Sequence, residues 1–230
     1  MKTIGLLGGM SWESTALYYK QINEEIKNKL GSLHSAKVVI YSVDFDEIEK
    51  LQHIGDWDKT ADILIKAAQS IEIASADFLL ICTNTMHKVV PQIQTKINIP
   101  IVHIADATAK VLQKDTIKKV GLLGTAFTMR EDFYKNRISE NFDIEVLVPN
   151  EEDIKIIHKI IYEELCLGIV KEESRKEYLK IIDKLVANGA EGIILGCTEI
   201  CMLISSKDTN VKLYDTTKIH AIEAVNLALE

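Results

Sequence analysis

The chain has 230 residues, 47% hydrophobic and 27% charged, which is apolar material enough for one large core or two small ones in an ordinary globular protein. A net charge of −7 with no basic tract argues against an electrostatic grip on nucleic acid or anionic lipid, but not against a small acidic ligand in a local pocket. No stretch has the length and hydropathy of a membrane span, MKTIGLLGGMSWEST carries no export signal, and the four cysteines lack CxxC spacing, so a cytoplasmic protein with reduced thiols is expected.

In chain order, KTIGLLGG reads as a strand running into a glycine turn, and SWESTALYYKQINEEIKNKL as the helix after it. On that helix Trp12, Tyr18 and Tyr19 are expected to pack, and Glu24, Glu25, Lys27 and Lys29 to face water. KVVIYSVD is a second strand, DKTADILIKAAQSIEIA a helix, ADFLLICTN a third strand and NIPIVHIAD a fourth. KKVGLLGTAF then repeats the strand and glycine turn, followed by strands in IEVLVP, EGIILGCTE and VKLYDTT with helices between. Near-continuous apolar strands alternating with helices predict an α/β fold with parallel sheet covered on both faces.

The chain also echoes itself. IGLLGGM from Ile4 returns as VGLLGTA from Val120, ADFLLICTNT from Ala76 as AEGIILGCTE from Ala190, and NIPIVHIAD from Asn98 more faintly as NVKLYDTT from Asn210. The separations are 116, 114 and 112 residues, too long for a solenoid and suited to two α/β halves related by pseudo-twofold symmetry. The expected division is residues 1–102 plus 215–230, and residues 103–214.

Ligands of open parallel sheets collect beyond the carboxyl ends of the strands, where glycines and helix N-termini admit a ligand's backbone contacts. Four polar turns fall there: Gly8-Gly9-Met10-Ser11, Thr83-Asn84-Thr85, Gly124-Thr125 with Thr128, and Cys197-Thr198-Glu199. Each residue taken alone reads as a helix cap or turn former; recurrence at corresponding places in both halves is what points to a site. Sliding one half over the other puts Cys82 on Gly196 and Thr83 on Cys197, so Thr83 holds the equivalent slot and Cys82 is expected to be a core thiol. GLLGGM is not GxGxxG and no phosphate-binding loop occurs. Cys197 and Cys201, at i and i+4 of a possible helix, lack histidine partners, so no metal is expected. His87, one helical turn beyond Asn84, either orients a pocket group or merely sits on its helix.

Thr83-Asn84-Thr85 and IILGCTEI resemble the two signature segments of the aspartate/glutamate racemase superfamily, and GLLGGMSWEST resembles the N-terminal segment of its amino-acid racemase branch. The resemblance covers essentially the whole chain. It implies two Rossmann-like domains, an active site in the cleft between them, no cofactor, a homodimer, and two cysteines that exchange the α-proton of a small amino-acid substrate from opposite faces. Cys197 matches the second cysteine and is implied to act on the L-enantiomer; Thr83 stands where the first is expected. Aspartate or glutamate is the implied substrate, with Met10, Gln52, Asn84, Thr85, Thr125, Thr128, Thr198 and Glu199 as contacts. Cys166, in EELCLG, stands where a lysine is expected, which leaves room for a broader range; Arg130 would compensate only if its helix turned inward, and it is expected to face solvent. Two other readings stay open: a single-thiol decarboxylase of the same superfamily, and an amino-acid-binding protein that has lost turnover.

Overall fold

The computed structural model describes residues 1–230. The elements in chain order are β1 (Ile4–Gly8), α1 (Trp12–Leu30), β2 (Val38–Ser42), α2 (Phe45–Ile54), α3 (Trp57–Ile73), β3 (Phe78–Ile81), α4 (Val90–Gln94), α5 (Ile104–Lys114), β4 (Lys119–Gly124), α6 (Ala126–Arg130), α7 (Asp132–Phe142), β5 (Glu145–Leu147), α8 (Glu151–Glu163), α9 (Glu172–Ala187), β6 (Gly192–Gly196), α10 (Ile200–Leu203), β7 (Lys212–Asp215) and α11 (Thr216–Leu229). Short 3-10 turns cover Thr85–Val89 and Leu165–Leu167. Two compact units result: Met1–Ile104 with His220–Glu230, and Ala105–Ile219.

The first unit is a parallel sheet in the order β2-β1-β3, and the second a parallel sheet in the order β5-β4-β6-β7. Central strands β1 and β3 are buried along their whole length, as sheet covered on both faces requires, whereas β2 at the edge keeps Ile40 and Tyr41 partly exposed. One face of the first sheet packs Leu7, Leu79 and Ile81 against α3; the other packs Ile4, Leu6 and Leu80 against Tyr18 and Ile22 of α1 and Val225 of α11.

NIPIVHIAD does not form a full fourth strand. A single bridge joins Ile101 to Leu79, with Leu79 N–H donating to the Pro100 carbonyl and Val102 N–H to the Leu79 carbonyl. Pro100 has no N–H to extend the ladder, and the Val102 carbonyl accepts from His220 instead. The bridge nonetheless lies beside β3 as β7 lies beside β6, so the two sheets share one strand sequence.

On α1 the buried positions are Ser14, Thr15, Tyr18, Ile22 and Ile26, one stripe at helical spacing. Only Tyr18 of the three aromatic residues lies on that stripe. Trp12 is 67% exposed and Tyr19 50%, correcting the expectation that all three pack inward. Lys20–Glu24 and Lys29–Glu25 ion pairs decorate the outer face.

Candidate active site

In the first unit, β1 runs into Gly9, whose φ of +92° is open to glycine; an added Cβ would collide with the Val43 backbone. The Gly9 amide donates to Thr15 Oγ1 at 2.8 Å, and Ser11 caps α1 by accepting from the Ser14 amide at 3.3 Å. Met10 is 5% exposed and packs with Ile48, Ile81 and Met86, so its side chain belongs to the core beneath the turn.

Beyond β3 the chain turns through Cys82 and Thr83. Cys82 lies in the apolar cluster with Tyr18, Phe78 and Leu80, its carbonyl accepting from Ser14 Oγ at 2.9 Å, and burial pushes its thiol up. Thr83 is half-buried. Asn84 and Thr85 are 2% and 5% exposed, and the Asn84 side chain is not spent on capping the turn that follows. Gln52, 4% exposed on α2, donates to Met86 Sδ at 3.8 Å, which brings α2 to the same turn.

In the second unit, Thr125 caps α6, accepting from the Thr128 amide at 3.3 Å, and the two hydroxyls lie 3.2 Å apart. Thr128 is completely buried against Gly124. Cys197 follows β6 and is half-buried. Its Sγ donates to Glu199 Oε2 at 2.9 Å, and Thr198 Oγ1 donates to the same oxygen at 2.6 Å. Burial, then the Glu199 carboxylate and the Cys166 thiol, hold the Cys197 thiol well above the usual cysteine range. At rest this is a neutral thiol with its proton aimed at a carboxylate, which is a pair able to move a proton.

Register sets the two turns in correspondence. Ile4 pairs with Phe78 in the first sheet, and Val120 with Gly192 in the second. Counting on from Phe78 and Gly192, Thr83 and Cys197 are both the fifth residue after the paired one. With Ile4 and Val120 matched by the repeat, strand pairing gives Thr83 and Cys197 the same position beyond their strands.

Cys197 and Cys201 do not share a helix face: α10 is four residues long and begins after Cys197, and Cys201 hydrogen-bonds Asp215 rather than Glu199. No group of three or more His, Cys, Asp or Glu is arranged to hold a metal ion. Arg130 faces outward in a two-pronged pair with Glu151, 2.7 Å at its closest. Cys166 and the buried Tyr178 lie within electrostatic reach of Cys197: the two thiols add to burial in raising the Tyr178 phenol. His87 also emerges as an organising residue, its Nδ1 2.8 Å from the Thr83 carbonyl.

No helix is long and apolar enough to cross a membrane. The chain is 51% identical, with complete coverage of both chains and a TM-score of 0.94, to a crystal structure from Yersinia pestis provisionally named an Asp/Glu racemase. It is 38% identical, again over both whole chains and with a TM-score of 0.84, to an aspartate racemase homologue from Pyrococcus horikoshii. Among curated proteins, the broad specificity amino-acid racemase RacX of Bacillus subtilis is 22% identical across 98% of each chain. A model of the Asp/Glu/Hydantoin racemase family matches residues 7–224, and with that span the chain is an amino-acid racemase and belongs to this family.

Proposed function

We propose that the protein interconverts the enantiomers of an acidic amino acid, aspartate or glutamate, by passing the α-proton between Cys197 and Thr83 without a cofactor. The observation that carries this is the shared register of Thr83 and Cys197 on equivalent strands. The names carried by relatives 51% and 38% identical favour the acidic substrate.

Starting from the L-enantiomer, Glu199 accepts the Cys197 thiol proton as the sulfur takes the α-proton. The electron pair left on Cα spreads into the substrate carboxylate, where fixed donors stabilise it. The turns of Asn84-Thr85, Thr125 with Thr128, and Thr198 supply such donors, Gln52 addresses the side chain, and the backbone at Met10 completes the enclosure. Thr83 then delivers its hydroxyl proton to the opposite face and is reprotonated by water, and the hydroxide so formed takes up the proton that Glu199 gained, which restores the resting carboxylate. Water is a weaker partner than Glu199, so return of a proton from the Cys197 side is faster than inversion.

The test is a panel of L- and D-amino acids in heavy water with wild type, Cys197→Ala and Thr83→Cys. L-aspartate or L-glutamate should gain α-deuterium faster than D-product appears. Cys197→Ala should lose both reactions, and Thr83→Cys should raise inversion relative to exchange. Fast exchange of the D-form with an inert L-form would remove Cys197 from its role. A second reading, broad specificity, is favoured by Cys166, within electrostatic reach of Cys197, where a lysine would have matched a side-chain carboxylate; equal deuterium uptake by neutral and acidic amino acids would select it.

A further inference from the structure

We propose that His87 is the positioning residue for Thr83: its ring ties the Thr83 carbonyl to the backbone amide of Ile104, and so fixes the direction in which the Thr83 hydroxyl is presented. The role assigned to Thr83 is the one proposed above; the tie itself stands on geometry. His87 is 1% exposed. Its Nδ1–H donates to the Thr83 carbonyl at 2.8 Å, and its Nε2 accepts from the Ile104 N–H at 3.2 Å. A carbonyl on one nitrogen and an N–H on the other admit one arrangement, the neutral ring protonated at Nδ1. Burial and the neighbouring His103 and His220 hold the ring in that neutral form.

What the ring connects is specific. Thr83 ends the turn after β3, where backbone hydrogen bonding to β1 has stopped at the Cys82 amide, which donates to Leu7. Ile104 opens α5, the last residue of the first unit before the chain leaves it. That exit is itself anchored, because His220 Nε2–H donates to the Val102 carbonyl at 2.8 Å while His220 Nδ1 accepts from Tyr18 at 2.8 Å. Without His87 the Thr83 turn would keep its place in sequence but lose its tie to this anchored segment.

The experiment compares wild type, His87→Ala and His87→Gln, since glutamine also offers one donor and one acceptor. Peptide-level amide exchange over residues 82–89 reads the turn without any substrate; L-aspartate in heavy water reads α-deuteration against D-product. The expected result for His87→Ala is faster amide exchange in 82–89 with 192–203 unchanged, and a rise in the ratio of α-exchange to inversion of about tenfold, the scale of a reacting group displaced by a fraction of an ångström. His87→Gln should recover most of both. Unchanged protection of 82–89 in His87→Ala overturns the tie. A parallel fall in exchange and inversion, or no recovery with glutamine, overturns the positioning role. A wild type inert towards L-aspartate would refute the substrate assignment while the amide-exchange result still decides the tie.

Discussion

His220 should make the first unit sensitive to mild acid. Its ring, on α11, is completely buried, with Nε2–H donated to Val102 and Nδ1 accepting the Tyr18 hydroxyl, so a second ring proton would place a charge in the core and force the Tyr18 hydroxyl to turn from donor to acceptor. Burial lowers its pKa from the ordinary 6.5 to about 4. Because the folded state binds the proton more weakly than the unfolded chain, the contribution is complete above pH 6.5, declines as pH falls towards about 4, and changes no further below that. A gap of about 2.5 in pKa, at ~1.36 kcal/mol each, makes the loss about 3 kcal/mol, a large part of a typical domain's stability. His87 is displaced in the same direction and adds to the slope. Both tryptophans, Trp12 and Trp57, lie in the first unit, so urea unfolding followed by tryptophan fluorescence reports that unit alone. Measured from pH 7 to 4.5, a window mostly above carboxylate titration, wild type should weaken steadily and His220→Gln should show a shallower slope. If the two proteins lose stability in parallel over this window, the buried neutral histidine is not what governs it.

Glu199→Gln should have opposite effects on two readouts. Removing the carboxylate lowers the Cys197 pKa, so iodoacetamide should alkylate that thiol faster at pH 8, while turnover falls at least about tenfold through loss of the proton acceptor; slower alkylation would refute the electrostatic account. Gly9→Ala places a Cβ into the Val43 backbone at a φ of +92° and should cost at least about 2 kcal/mol, read by the same fluorescence-monitored unfolding. Arg130→Ala breaks only an exposed pair with Glu151, so stability should change by less than about 1 kcal/mol in calorimetry.

The seven strands and the longest helices were legible in the sequence because their signals are local. Apolar runs such as IGLLG and GIILG ended in glycine turns, whereas the buried face of α1, from Ser14 to Ile26 at four-residue spacing, was read only in part, since Trp12 and Tyr19 were expected on it. The repeat was legible because whole blocks recur in order, and it matches Thr83 to Cys197. The exceptions are also physical. NIPIVHIAD had the composition of a strand, but Pro100 withholds a donor and His220, more than a hundred residues away, claims the Val102 carbonyl.

The sequence by itself determined the alternation of strand and helix and the duplication, since both show in the order of residue types along the chain. Only the tertiary structure decided that Glu199 accepts from Cys197, that Cys166 and Tyr178 come within electrostatic reach of that thiol, and that His87 holds the Thr83 turn to Ile104. Those outcomes depend on which distant segments meet, and on which buried polar atoms find partners there, and neither periodicity nor spacing encodes such a meeting.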